Sequence, residues 1–404
     1  MQETRRKKED AMSETMPVAG MDERVGQVMD AAVARGRLVG ATVLVSVDGR
    51  TVVRRAAGLA DRAADEPMRP DTLVRLASLT KPVVTAVALA LAERGALSLD
   101  DAVTRFLPDF RPACADGSVP TITLRHLLTH TAGLSYSFAF PRDDNPYAKA
   151  GISDGIAEPG MALEENLARL ASVPLLFAPG EGWAYSLALD VMGGVLERAG
   201  DAALPDLVQR HVGAKLGWRH TGFAVPDPAL LCPPYADGRP APVEMGARYV
   251  MPRQLGGGKV SEIVFAPGRV LDPGSYPSGG AGMVGTAEEF LSFVEALRGG
   301  GGPILSPDSA ALFGRNAIGD LSMGPMNAGM GFAIGAAVVE DPARARTPVS
   351  RGGFTWGGVY GHQWIADPAR GVSIVMISNT ALAGMAGAYP DAVRDAVYGA
   401  GRSG

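Results

Sequence analysis

Between Ser78 and Arg94 the chain carries its most apolar stretch, Ser-Leu-Thr-Lys-Pro-Val-Val-Thr-Ala-Val-Ala-Leu-Ala-Leu-Ala-Glu-Arg, closed by Gly95. Apolar residues fall on every side of a helix drawn through it, so the helix must be buried on most of its surface. Gly95 is a natural stop. Pro82 is tolerated only near a first turn, which pins the start of the helix close to Ser78. A buried helix needs a body large enough to surround it. The 404 residues exceed what one core usually covers, so one two-lobed body or two domains is expected.

Other segments fill in that body. Met21 to Arg37 has helical periodicity, and Ala41–Val47, the turn Asp48-Gly49 and Thr51–Ala56 read as a β-hairpin. Helices are expected over Thr123–His130, Leu163–Ala171, Leu187–Ala199 and Glu288–Leu297. Residues 232–280 are rich in Pro and Gly and are expected to form a long covering loop region. Gly331–Val339, His362–Ala366 and Val372–Ser378 read as strands, followed by a helix from about Pro390 to Tyr398. Strands thus lie at both ends of the chain, with a helical block between them. The expected fold is α/β in the α+β sense: an antiparallel sheet built from both chain ends and flanked by helices, with an inserted mainly helical domain. The boundaries read as a disordered tail over 1–18, a sheet domain over 19–75 and 281–404, and a helical domain with long loops over 76–280.

Composition narrows the function. A formal net charge of −5 argues against a nucleic-acid partner, which demands a basic footprint. The cysteines Cys114 and Cys232 are too few for a disulfide scaffold and lack metal-ligand spacing. Arg5-Arg6-Lys7-Lys8 is followed by polar residues instead of the apolar stretch an export signal needs. No run of eighteen apolar residues spans a membrane. The cytoplasm is the expected location, and a homo-oligomer stays open.

Ser78 and Lys81 share one face of the helix start, so hydroxyl and amine can touch. A serine hydroxyl is a poor nucleophile until a base takes its proton, and a lysine shielded from water can serve. Main-chain N–H groups at the helix start favour an oxyanion. Ser-x-x-Lys alone is a weak signal. Two further segments strengthen it. Pro179-Gly-Glu-Gly-Trp-Ala-Tyr185 delivers a phenol to the head of a helix, where it can relay a proton. Trp356-Gly-Gly-Val-Tyr-Gly-His362 places glycines just before a strand, where a ligand can approach the backbone and Val359 N–H can donate.

Ser78-x-x-Lys81, Tyr185-Ser-Leu187 and Trp356-Gly-Gly together resemble the three motifs of the serine β-lactamase and penicillin-binding-protein superfamily. The chain is most similar to the family VIII carboxylesterases, a branch related to class C β-lactamases. The resemblance spans about residues 21 to 400. It includes Arg75-Leu-Ala-Ser-Leu-Thr-Lys-Pro82, His126-Leu-Leu-Thr-His-Thr-Ala-Gly-Leu134 and Tyr276-Pro-Ser-Gly-Gly-Ala-Gly-Met283. It implies a β-lactamase/transpeptidase-like fold, a Ser78 nucleophile, Lys81 and Tyr185 as the proton-handling pair, and an oxyanion hole from the Ser78 and Val359 amides. No metal or organic cofactor is implied.

Two departures bear on substrate. Leu187 stands where class C enzymes carry an amide-binding asparagine, and Trp356 replaces the lysine that contacts the antibiotic's carboxylate. Both suit neutral, short-chain carboxylic esters, so a small-molecule ester is the expected partner and carboxylic ester hydrolysis the expected activity. Trp356, Gly357, Gly358, Leu187, Tyr136, Phe138 and His362 are the candidate substrate-binding residues. His126 and His130 fall four apart with no third metal ligand evident, so they read as structural. The same Ser-Lys-Tyr set would serve a β-lactamase, a D-alanyl-D-alanine peptidase or an acyltransferase; a ligand sensor acylated once is the non-enzymatic alternative.

Overall fold

Segments from the two ends of the chain meet in one antiparallel sheet in the computed structural model, which describes residues 16, 18–225 and 227–400. In spatial order its eight strands are Met330–Phe332, Ala337–Val339, Phe354–Gly358, His362–Asp367, Val372–Ser378, Gly40–Val47, Arg50–Asp61 and Glu66–Pro67. Val43 pairs with Met376 and Val45 with Ile374 where the first part of the chain joins the last. Alternation along these strands sends side chains to two different layers. Ala41, Val43, Val45, Ile374 and Met376 pack with Met21, Val25, Met29, Val393 and Val397, from the helices Met21–Ala34 and Ala388–Tyr398. Leu44, Trp364, Val375 and Ile377 face the opposite way, against Phe290, Phe293 and Val294 of the helix Ala287–Arg298.

Beyond that helix lies the apolar segment that follows Ser78. It forms the helix Thr80–Glu93, buried without interruption from Thr80 to Leu91. It packs against the helix Ala188–Gly200. A 3-10 turn over Ala77–Leu79 precedes it, so Ser78 sits just before the α-helix instead of inside its first turn.

Several expectations shift. The tail expected over 1–18 falls almost wholly outside the described residues. The first helix ends at Ala34, because Gly36 takes a φ of 62° ahead of Arg37. The helix expected over Thr123–His130 covers only Leu124–Leu128, and His130 leaves it with a φ of 57°. Gly331–Val339 is two strands, because Gly335, at φ 84°, turns the chain back so that Ala333 N–H meets Ala336 O. The segment 232–280 is more than loop: Tyr249–Gln254 and Val260–Phe265 pair as an antiparallel hairpin. Burial there alternates, with Ser261, Ile263 and Phe265 inward, a period-two signal that the Pro and Gly content obscured. No helix among the described residues is long and apolar enough to cross a membrane.

Candidate active site

Ser78 lies on the tight turn between the short strand Val74–Arg75 and the buried helix. Ala77, immediately before it, is held at a φ of 46°, a left-handed conformation that a residue with a Cβ rarely adopts. Surrounding bonds fix the turn: Leu76 N–H donates to Met283 O at 2.9 Å, and Met283 N–H to Thr80 Oγ1 at 3.1 Å. The strand Phe354–Gly358 abuts it directly. A Cβ at Gly358 would lie 2.7 Å from Leu76 O, so only glycine lets the strand approach the Ser78 turn this closely.

Lys81 is 2 % exposed. Its Nζ donates to Ser78 Oγ at 3.1 Å and to Gly280 O at 2.7 Å, and it lies 4.8 Å from the centre of the Tyr185 ring. Behind it, Gly280 N–H donates to Asp190 Oδ1 at 3.3 Å. Gly280 therefore joins the ammonium on its carbonyl side to a buried carboxylate on its amide side. A Cβ there would sit 3.0 Å from Asp190 Oδ2 and 3.5 Å from Lys81 Nζ. Burial pushes the Asp190 carboxyl above the usual carboxylate range; the Ser278 hydroxyl and the charge of Lys81 pull the other way.

Tyr185 Oη is 2.7 Å from Ser78 Oγ and accepts the Trp356 indole N–H at 3.3 Å. Main-chain bonds deliver it: Ala184 N–H to His130 O at 3.0 Å and Leu187 N–H to Ser135 O at 3.2 Å lace the 184–187 segment to the 130–135 loop. The His130 ring packs edge-on 4.9 Å from Tyr185, with Nδ1 3.0 Å from Ser186 Oγ. Burial, and then the charge of Lys81, hold His130 well below its usual range, so it is a neutral packing ring. His126 is separate from it: its Nδ1 accepts Thr123 N–H, closing a capping box.

These groups open onto a cleft of about 510 Å³. Tyr136, Phe138, Trp356, Gly357 and Val359 line it with Ser78 and Tyr185. Other candidates lie elsewhere. Leu187 is fully buried in the main core at the head of the Ala188–Gly200 helix, so it offers the cleft no side chain. Gly358 faces the turn that carries Ser78. His362 is fully buried; its Nε2–H donates to Arg75 O at 2.7 Å and its Nδ1 accepts Ser378 N–H. Burial holds His362 at about 4, so it ties strands together as a neutral ring and does not line the site. Both misplacements share a cause: neighbours in sequence alternate between cleft and core, and a motif does not say which residue of it turns inward.

Asp190 and Asp154 went unread in the sequence. Asp190 had a signal, as the one acid in the apolar run Leu187-Ala-Leu-Asp-Val-Met192. Replacing Asp190 by Asn keeps the acceptor for Gly280 N–H and removes the charge behind Lys81. It is expected to lower kcat/KM for an ester about tenfold, ~1.4 kcal/mol, in steady-state kinetics. An unchanged value would leave Asp190 no more than packing.

A hydroxyl flanked by an amine and a phenol, at the start of a buried helix and beside a sheet edge, goes with a β-lactamase/transpeptidase-like fold. The family model described as Beta-lactamase matches residues 25–398, and the chain belongs to that family. It is 48% identical over 387 residues to Esterase EstB of Burkholderia gladioli, covering 95% of this chain and 97% of that protein. The solved structure of EstCE1, described as a hydrolase with promiscuous acyltransferase activity, superposes with a TM-score of 0.90. It is 43% identical and covers 94% of this chain and 99% of its own. A penicillin-binding protein homologue from Caulobacter crescentus shares the fold at a TM-score of 0.69 and 22% identity, over 96% of this chain and 98% of its own.

Proposed function

We propose that this protein is a serine carboxylesterase that hydrolyses short-chain carboxylic esters through an acyl-enzyme on Ser78. The observation that carries the proposal is the position of Ser78 Oγ, 3.1 Å from Lys81 Nζ and 2.7 Å from Tyr185 Oη, on the wall of the cleft. Ser78 Oγ attacks the ester carbonyl while the Tyr185–Lys81 pair takes its proton. The Ser78 and Val359 main-chain N–H groups receive the charge on the tetrahedral oxygen. The alcohol leaves with a proton returned by Tyr185. Water then attacks the acyl-enzyme, giving up its proton to the same pair, and the acid departs as Ser78 regains its hydrogen.

Substrate class follows from the lining. Trp356 puts an indole beside Tyr185, and Phe138, Ile156, Ile263 and Met330 add apolar surface. An anionic β-lactam would find no cation at Trp356, whereas a neutral ester buries its carbon skeleton. The name of EstB supports an esterase, and the description of EstCE1 supports a hydrolase. A panel of p-nitrophenyl esters of rising acyl length, assayed beside nitrocefin, tests this. Short esters are expected to turn over with kcat/KM at least about a hundredfold above that of nitrocefin, a difference of ~2.7 kcal/mol at the transition state. Faster nitrocefin hydrolysis would overturn the reading in favour of a β-lactamase.

The description of EstCE1 also supports a second reading, acyl transfer to an alcohol in place of water. Adding an alcohol acceptor and measuring new ester against free acid separates the two. The same proposal divides the chain into a sheet domain over 19–75 and 281–404 and a helical domain over 76–280, and places the protein in the cytoplasm.

A further inference from the structure

Asp154 is a carboxylate in the cleft that ester hydrolysis leaves unused. It lines the main cleft with Ser78 and also a side cavity of about 220 Å³. One oxygen accepts Ser137 N–H at 3.0 Å, and Asn145 Nδ2 fixes that loop by donating to Ser137 O at 2.9 Å. The stacked rings of Tyr136 and Phe138, 4.8 Å apart, carry the wall from Lys81, which lies 5.3 Å from the Tyr136 ring, toward Asp154. Ile156 and Ile263 line the same cleft.

Two arginines near Asp154 are drawn to other acids. Arg142 pairs with Asp143 and Glu262, and Arg248 acts on Glu158. Arg253 also lines the main cleft, but it is exposed and lies over the Phe138 ring at 5.9 Å instead of pairing with Asp154. Asp190 and Glu158 add negative charge, and Tyr136 and Tyr147 face it with phenols. Asp154 makes no ion pair among the described residues. On the main-cleft side Asp154 faces the rings of Tyr136 and Phe138 and the side chains of Ile156 and Ile263, and a carboxylate there with no paired cation is costly unless something supplies one.

We propose that Asp154 determines specificity by receiving an ammonium group, so that the preferred substrates are short esters bearing an amine. The proposal rests on the reading that Ser78 hydrolyses esters. Burial raises the Asp154 carboxyl to about 7; the Ser137 amide opposes this, and the charges of Glu158 and Asp190 add to it. The sign follows. Below that value the carboxyl is neutral and holds a cation weakly, and above it the carboxylate attracts one. Preference for an amine ester therefore grows as pH rises through about 7. Because the folded state favours the neutral acid, the uncharged Asn at this position relieves a cost present at higher pH, so the variant is expected to fold.

Two matched pairs test the proposal in the parent and in Asp154→Asn: β-alanyl against butyryl p-nitrophenyl ester, and 2-(dimethylamino)ethyl against 3-methylbutyl acetate. The first pair places the amine on the acyl side and the second on the alcohol side. In the parent, the ratio of kcat/KM for the amine ester to its neutral partner is expected to climb from about pH 6 to about pH 8 in at least one pair. In Asp154→Asn that ratio is expected to fall about tenfold and lose its pH dependence. The ratio reads the contact whatever the variant does to both esters alike. Equal ratios in parent and variant for both pairs would overturn the proposal. A parent that hydrolyses none of the four would instead sink the esterase reading itself.

Discussion

Ser78→Ala is expected to abolish turnover of a short-acyl chromogenic ester, with a loss of at least about 10⁴-fold, while the circular dichroism spectrum stays that of the parent. The magnitude follows from the role: without the hydroxyl no acyl-enzyme forms, and only background attack by water remains. The fold is expected to survive because the change strands no buried group. Lys81 keeps its bond to Gly280 O, and Tyr185 keeps the Trp356 indole N–H. A serine-directed phosphonate is expected to add one adduct to the parent, on the peptide containing Ser78, and none to the variant. Undiminished turnover by Ser78→Ala, or an adduct on a different serine, would refute the assignment.

Tyr185→Phe is expected to reduce kcat about 10³-fold with little change in KM. The substitution deletes one oxygen and keeps the ring. The packing of that ring against Tyr136 at 5.1 Å, His130 at 4.9 Å and Trp356 at 5.0 Å is preserved. Stability is therefore expected to change little, and the kinetic loss reads proton handling alone. A kcat within about threefold of the parent would show that Lys81 moves the proton by itself. A raised KM with kcat intact would instead make Tyr185 a binding residue.

Much of this was legible in local sequence. The apolar run after Ser78 called for a buried helix, and burial from Thr80 to Leu91 is unbroken. The Asp48-Gly49 turn placed the hairpin between strands that now end at Val47 and restart at Arg50. Leu163–Ala171 and Val372–Ser378 have the expected limits. Such features depend on side chains two to four residues apart, and those spacings are written in the chain itself. Reading was poorer where glycine and proline interrupt a period, as in the hairpin at 249–265 and the break at Gly335. There a single backbone conformation outweighs the pattern on either side.

What the sequence by itself determined is most of the helices and strands and the motifs of the family. Tertiary structure alone decided how they converge: that Gly280 bridges Lys81 and Asp190, that the Trp356 indole reaches Tyr185, that Asp154 lines the cleft, and that Leu187 and His362 turn away from it. The physical reason is distance along the chain. These contacts join residues 90 to 200 positions apart, and which side of an element faces which neighbour is set by the packing of the whole body, not by any short window of residues.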